Sequence, residues 1–322
     1  MKLNMIKCHG SGNDFVMLDE RNGRGFSSDE EMTGFIRSIC DRKGPVGADG
    51  VLLVLPSSSC DARMRIFNAD GTEPEMCGNG LRCVGRFVTE ALSMEQVTIE
   101  TMKARYTVRK ADEIYKNINT IQVDIKSIDL TPSSLPMVWE GRDCLFQRIP
   151  ELSDNLLFSA VSITNPHLVA IVEKIDMDEL IEAGTTANSG ISILPRGVNV
   201  NFAKLIGPAS MYVKTYERGV GLTASCGTGM ISSSIIASIK DSSRLDKEVT
   251  VYNDGGAIKT VVKKAAEGSL MVSFTGNATY NYTAQLEYKD GIVKVINKVP
   301  TGEDHAYKVF LNHVQECIKA EL

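Results

Sequence analysis

Two stretches decide how this chain is read: Glu75-Met76-Cys77-Gly78-Asn79-Gly80-Leu81 and Ser225-Cys226-Gly227-Thr228-Gly229-Met230. Each Cys-Gly-x-Gly turn opens a helical pattern. After Cys77 the apolar positions are Leu81, Val84, Phe87, Val88, Ala91 and Leu92, and after Cys226 they are Ile231, Ile235 and Ile239. Working outward, an aromatic–polar pair stands at the same distance before each cysteine, Phe67-Asn68 and Tyr216-Glu217. Further upstream, Gly47-Ala48-Asp49 answers Gly197-Val198-Asn199, and Asn13-Asp14-Phe15 answers Asn165-Pro166-His167. Four landmarks in one order, at nearly equal offsets, indicate a duplication into two similar domains with the cysteine turns as equivalent points.

Between these landmarks the apolar residues come mostly in short, alternating runs that predict strands. Such runs are Phe15–Leu18, Val51–Leu55, Arg63–Phe67, Val97–Thr101, Ile121–Ile125, Leu168–Val172, Met211–Tyr216, Val249–Tyr252, Ile258–Val262 and Leu270–Phe274. Further helices are predicted around Met32–Ile39 and at the end, where Ala306, Val309, Phe310, His313, Val314 and Cys317 share a face. Many strands with few helices define an α+β class. The polar, proline-containing stretch Asp129–Pro136 is the best candidate linker.

The chain has 322 residues, 43% hydrophobic and 23% charged, which is globular composition. A net charge of −5 argues against nucleic acid as a partner, which calls for a basic field. Apolar runs are far shorter than the ~20 residues of a membrane span. Met1–Lys7 lacks the apolar core of a signal peptide. The eight cysteines are scattered without a C-x-x-C, so reduced thiols and a cytoplasmic location are expected. Cys8, Cys40, Cys60, Cys83, Cys144 and Cys317 read as small core or structural residues.

Cys77 and Cys226 stand apart because both precede the first free N–H groups of a helix, which with the helix dipole favour an anion. A thiol there is expected to ionise more readily than at its usual value of about 8.5. Glycines let a carboxylate approach backbone that no Cβ shields. Two such turns related by pseudo-two-fold symmetry, facing each other across a cleft, would let one thiolate take a proton from a carbon. The other thiol would deliver a proton to the opposite face, inverting the centre.

The segments His9-Gly10-Ser11-Gly12-Asn13-Asp14-Phe15, Phe67-Asn68-Ala69-Asp70-Gly71, Glu75–Cys83, Asn165-Pro166-His167, Glu217-Arg218-Gly219-Val220-Gly221 and Cys226-Gly227-Thr228-Gly229 resemble the signature blocks of the diaminopimelate epimerases. The resemblance runs from about residue 5 to about 288. It implies a cofactor-independent, two-base enzyme interconverting LL- and meso-diaminopimelate, in lysine and peptidoglycan-precursor biosynthesis. It also implies two domains, each a mixed sheet or barrel around a central helix. One would be 1–130 with a returning strand at about 276–290, the other 131–275, and 291–322 would be a C-terminal extension that covers the barrel or mediates a homodimer.

Carried over by position, Cys77 and Cys226 are the acid–base pair, and backbone of Gly78-Asn79 and Gly227-Thr228 holds the reacting carboxylate. Asn13, Asn68, Asn165, Asn199 and Arg218 bind the polar groups of a small diamino-dicarboxylate, Glu217 accepts from its ammonium, and His167 supports the thiols. No metal is called for. Ser11, Gly50, Thr164 and Leu222 depart from the family pattern at positions expected to border the pocket. The same chemistry on another amino acid is the nearest alternative. Others are a covalent hydrolase or transferase using Cys226, and a non-catalytic amino-acid sensor.

Overall fold

The structure, a computed structural model, describes residues 1–23 and 26–321. The chain runs β1 (Lys2–Gly10), β2 (Asn13–Asp19), α1 (Asp29–Cys40), β3 (Gly50–Leu55), β4 (Ala62–Asn68), α2 (Gly78–Leu92), β5 (Gln96–Glu100), β6 (Arg105–Lys110) and β7 (Thr120–Ile125). Next come β8 (Gln147–Arg148), β9 (Leu157–Ser162), β10 (Pro166–Ile171), α3 (Met177–Ala187), β11 (Asn199–Gly207), β12 (Ser210–Glu217), β13 (Gly221–Thr223) and α4 (Gly227–Lys240). The chain closes with β14 (Glu248–Asn253), β15 (Gly256–Lys264), β16 (Leu270–Asn277), β17 (Thr279–Lys289), β18 (Ile292–Pro300) and α5 (Glu303–Glu321). It divides into Met1–Val123 with Thr275–Leu311, and Asp124–Phe274 with Asn312–Leu322.

In the first unit β1–β2 pair antiparallel, β2–β3 parallel, β3–β4 antiparallel, β4–β5 parallel and β5–β6 antiparallel. In the second, β9–β10, β10–β11, β11–β12, β12–β14 and β14–β15 repeat that alternation. The duplication inferred from four landmarks therefore extends to the whole ladder, and α1 and α3 occupy equivalent crossovers between parallel strands. Within its unit α2 touches every strand from β1 to β6, and α4 touches β9, β10, β11, β12, β14 and β15.

Each helix is buried along all but its last turn, and its composition follows. Along α2 a Cβ on Gly85 would collide with Val108 of β6. On α4, Ser232, Ser233 and Ser234 are fully buried. Ser233 and Ser238 donate back to the carbonyls of Gly229 and Ser234 at 2.8 and 2.9 Å, so these two hydroxyls are satisfied within the helix itself. The outer helices are ordinary amphipathic covers: α1 buries Met32, Phe35, Ile36 and Ile39 against β3, while α3 buries only Leu180 and the small Ala183, Gly184 and Ala187. Asp129–Pro136, expected as a linker, is instead bridged into the second unit. Asp129 and Ser162 exchange backbone hydrogen bonds of 2.9 and 2.8 Å, and Leu135 is buried.

The residues set apart as an extension supply β18, paired antiparallel with β17, and α5. At the start of α5 the Glu303 carboxylate accepts from both terminal nitrogens of Arg86 at 2.7 Å, from the Tyr280 backbone N–H at 2.9 Å and from Asn119 at 3.1 Å. One turn later Tyr307 meets the His9 ring edge-on at 4.2 Å. The beginning of α5 thus closes one end of the first barrel. Among the described residues no helix is long and apolar enough to cross a membrane.

Candidate active site

Each cysteine is the N-cap of its unit's central helix. Cys77, with extended backbone (φ −143°), accepts from the N–H of Gly80 at 3.5 Å, and Cys226 (φ −113°) accepts from that of Gly229 at 3.4 Å. Each cap bond satisfies one of the free N–H groups of the first helical turn. The second glycine of each turn has a packing cause that the sequence did not display. A Cβ on Gly80 would lie 2.8 Å from Leu52, and one on Gly229 would crowd the side chains of Asn201 and Thr215.

In the first unit Asn13, at the head of β2, reaches the cysteine: Cys77 Sγ lies 3.7 Å from Asn13 Oδ1, which also accepts from Asn79 Nδ2 at 3.3 Å. Asn13 Nδ2 donates to Asp49 at 2.8 Å. Gly78 and Asn79 are buried beneath the turn. Asn68, at the end of β4, is exposed and donates to Thr72 at 3.0 Å.

In the second unit Asn165 Nδ2 donates to Thr228 Oγ1 at 3.1 Å, and that hydroxyl lies 3.5 Å from Cys226 Sγ. Glu217, at the end of β12, accepts from Thr223 at 2.5 Å and reaches the Cys226 thiol. Asn199 has both ends engaged with backbone, donating to the Pro166 carbonyl at 3.0 Å and accepting from the Arg218 N–H at 2.9 Å. It thereby fixes where the exposed Arg218 leaves the chain, and that guanidinium has no carboxylate partner among the described residues. Gly227 is buried at the first helical position.

His167 is fully buried in register with Asn199 across β10–β11. Its Nδ1 lies 3.2 Å from Asn201 Nδ2, an amide nitrogen that can only donate, so the neutral ring carries its proton on Nε2. Burial pushes its pKa down to about 3, with the Asn201 contact opposing that and Arg218 adding to it. His167 Nε2, Asn165 Oδ1 and Thr164 Oγ1 have no hydrogen-bond partner among the described residues. Buried polar atoms are normally paired, so three orphans within four residues are exceptional.

The expectation that both cap positions would lower the thiol pKa is corrected at Cys226. Burial raises it well above its usual value, Glu217 adds to the rise, and Thr228 and the Gly229 N–H only partly oppose it. Burial and Glu217 thus favour the protonated form of Cys226. Burial likewise pushes Cys40 and Cys144 up to about 12, in keeping with inert core thiols.

The departures from the pattern also find places. Gly50 faces the Phe67 carbonyl so closely that any Cβ would collide. Ser11 (φ 52°) is wholly buried and accepts from Arg82 at 3.0 Å, so it faces the interior. Thr164 adopts a left-handed φ of 87°, where glycine is the easier residue, and Leu222 is exposed. Sequence reasoning missed Asp49, Arg82 and Asn201. The one signal was a charged residue, Arg82, on a helix otherwise enclosed by apolar strands.

The diaminopimelate epimerase family model matches residues 5–122 and 159–281, both halves of the duplication. A diaminopimelate epimerase from Clostridium acetobutylicum is 51% identical over 89% of this chain and 86% of that protein. The chain belongs to the diaminopimelate epimerase family. Another member, from Listeria welshimeri, is 39% identical over 98% of both chains. Among solved structures, a PhzF-family phenazine biosynthesis protein of Bacillus anthracis superposes with a TM-score of 0.64 at 16% identity, over 89% of this chain and 100% of that one. A hydroxyproline epimerase of Agrobacterium vitis gives 0.59 at 16% identity, over 88% and 90%. These two likenesses establish the shared two-domain α+β fold.

Proposed function

We propose that this chain interconverts LL- and meso-diaminopimelate without a cofactor, using Cys77 and Cys226 as a two-base pair. The observation that carries the reading is the pair of cysteine N-caps, equivalent in the duplication, each beside unshared helix N–H donors. The chemistry requires the two thiols at opposite faces of one α-carbon. The Cα–H bond breaks as its proton passes to the Cys77 sulfur, the electron pair is delocalised into the carboxylate, and Cys226 S–H returns a proton to the other face. The reverse reaction exchanges the roles. Cys226 suits the donor because burial and Glu217 favour its protonated form.

Charge accumulating on the carboxylate is met by backbone N–H groups at Gly78-Asn79 and Gly227-Thr228. Each well-placed donor contributes about 3–4 kcal/mol in comparable oxyanion sites, and the acid–base pair adds about 10²–10⁴-fold. Asn13, Asn68, Asn165 and Asn199 serve the substrate's polar groups, Arg218 its distal carboxylate and Glu217 an ammonium. His167 supports Cys226. The proposed location is the cytoplasm, which keeps both thiols reduced, and the proposed assembly is a homodimer.

The test is turnover of LL-diaminopimelate beside a panel of L-amino acids, under reducing conditions. Turnover of diaminopimelate in preference to the panel is expected, with Cys77→Ala and Cys226→Ala each losing at least about a hundredfold. Turnover of another amino acid with none of diaminopimelate would overturn the substrate. Near-normal activity in either cysteine variant would overturn the two-base mechanism.

A further inference from the structure

Arg82 is fully buried one turn into α2, below the Cys77 turn. Its Nη2 donates to Ser11 Oγ and to Asn79 Oδ1, each at 3.0 Å, its Nε to the Asn277 carbonyl at 2.9 Å, and its Nη1 to the Gly78 carbonyl at 3.5 Å. Space for it comes from Gly10, where a Cβ would sit 2.8 Å from Nη2. Burying a guanidinium is costly, and the fold does not demand one here. The equivalent position in the duplicated half, five residues after Cys226, is Ile231, fully buried in the same kind of barrel.

The bonds form a directed chain. A guanidinium has only donors, so Asn79 must turn Oδ1 toward Arg82 and Nδ2 toward Asn13. A carboxylate has only acceptors, so Asn13 must turn Nδ2 toward Asp49. Both ends therefore force Asn13 Oδ1 to face Asn79 Nδ2 at 3.3 Å and the Cys77 sulfur at 3.7 Å. With either amide reversed, two donors or two acceptors would face each other.

We propose that Arg82 is a positioning residue for the Cys77 half of the reaction, fixing the amide of Asn79, and through it that of Asn13, so that a carbonyl oxygen faces the Cys77 sulfur. That oxygen accepts the S–H formed when Cys77 has taken a proton, and the Gly80 N–H supports the sulfur from the helix side. Sulfur held from two directions presents one fixed line of approach to the substrate carbon, and such alignment is worth a large factor in rate. Ser11, the residue that departs from the family pattern, serves this arrangement as the second acceptor on Nη2.

The inference rests on Cys77 acting as proposed above, so the experiment begins with Cys77→Ala, which must abolish epimerisation. Arg82→Met should lower kcat by about a hundredfold and raise KM by a smaller factor, because the guanidinium itself touches no substrate while Asn13 and the Asn79 backbone, which it holds, do. Arg82→Lys, still charged and donor-only, should recover at least about tenfold of that loss. Should Arg82→Met fail to fold, Ser11→Gly carries the test. It removes one acceptor and suits the positive φ, and it should lower kcat by about three- to tenfold at unchanged KM. Folded Arg82→Met, or Ser11→Gly, with wild-type kcat would overturn the role of Arg82, as would a defect confined to KM. Activity surviving in Cys77→Ala would overturn the catalytic reading itself.

Discussion

Each unit carries one buried, neutral histidine, and together they should make the fold sensitive to mild acid. Burial lowers His9 to about 4, although Asp304 and Asp14 pull the other way, and lowers His167 to about 3. In the unfolded chain both return to about 6.5. Between those values the unfolded state binds a proton that the folded state refuses. The stabilisation is therefore complete above about pH 6.5 and is lost as pH falls, by about 1.4 kcal/mol per pH unit for each histidine. From pH 6.5 to 4.5 that amounts to about 3 kcal/mol per unit, a large share of the 5–15 kcal/mol that holds a typical domain. Asp14, which burial raises but Arg42 and Lys7 hold down to about 2, changes stability only below about pH 4. The assay is urea unfolding at intervals from pH 7.5 to 4.5. Trp139, the single tryptophan, packs on the core of the second unit and reports it by fluorescence, while circular dichroism follows the whole chain. His167→Gln should flatten the pH slope of the Trp139 transition. A wild-type free energy that does not change between pH 7 and 5, or an unaltered slope in His167→Gln, would refute the reasoning.

Two stability predictions accompany it. Glu303→Gln removes the charge that joins α5 to Arg86, whose side chain is only 9% exposed, and should cost about 3 kcal/mol; calorimetry showing less than about 1 kcal/mol would mean the pair is solvent-screened. Gly85→Ala should cost about 1–3 kcal/mol by driving a methyl into Val108, and adding Val108→Ala should return much of that loss in a double-mutant cycle.

Much of the scaffold was legible because duplication amplifies weak signals: two cysteine turns at matched offsets are conspicuous where one would pass as packing. The ten apolar runs all fall on strands, since half-buried strands write their period directly into the sequence. α3 was missed for a physical reason. Its buried face holds one leucine and otherwise Ala183, Gly184 and Ala187, so no large apolar period shows, and its clearest mark is the Asp176 cap, accepting from Asp178 and Glu179. Partnerships across the ladder were not legible. That Asn199 holds the Arg218 backbone, or that Arg82 orients Asn79, depends on which strands close around each helix. Nor could the turn motif reveal that burial outweighs the helix N-terminus at Cys226, because that balance depends on the depth of the barrel.

The central claim is carbanion formation by paired thiols. Its most direct measurement is mass spectrometry of diaminopimelate incubated with the enzyme in D₂O, in reducing buffer with no cofactor added. Wild type should place one deuterium at the α-carbon of each molecule of newly formed epimer, and Cys77→Ala and Cys226→Ala should form none of it. Epimer formed with no solvent deuterium, or formed at near-wild-type rate by either variant, would contradict the account.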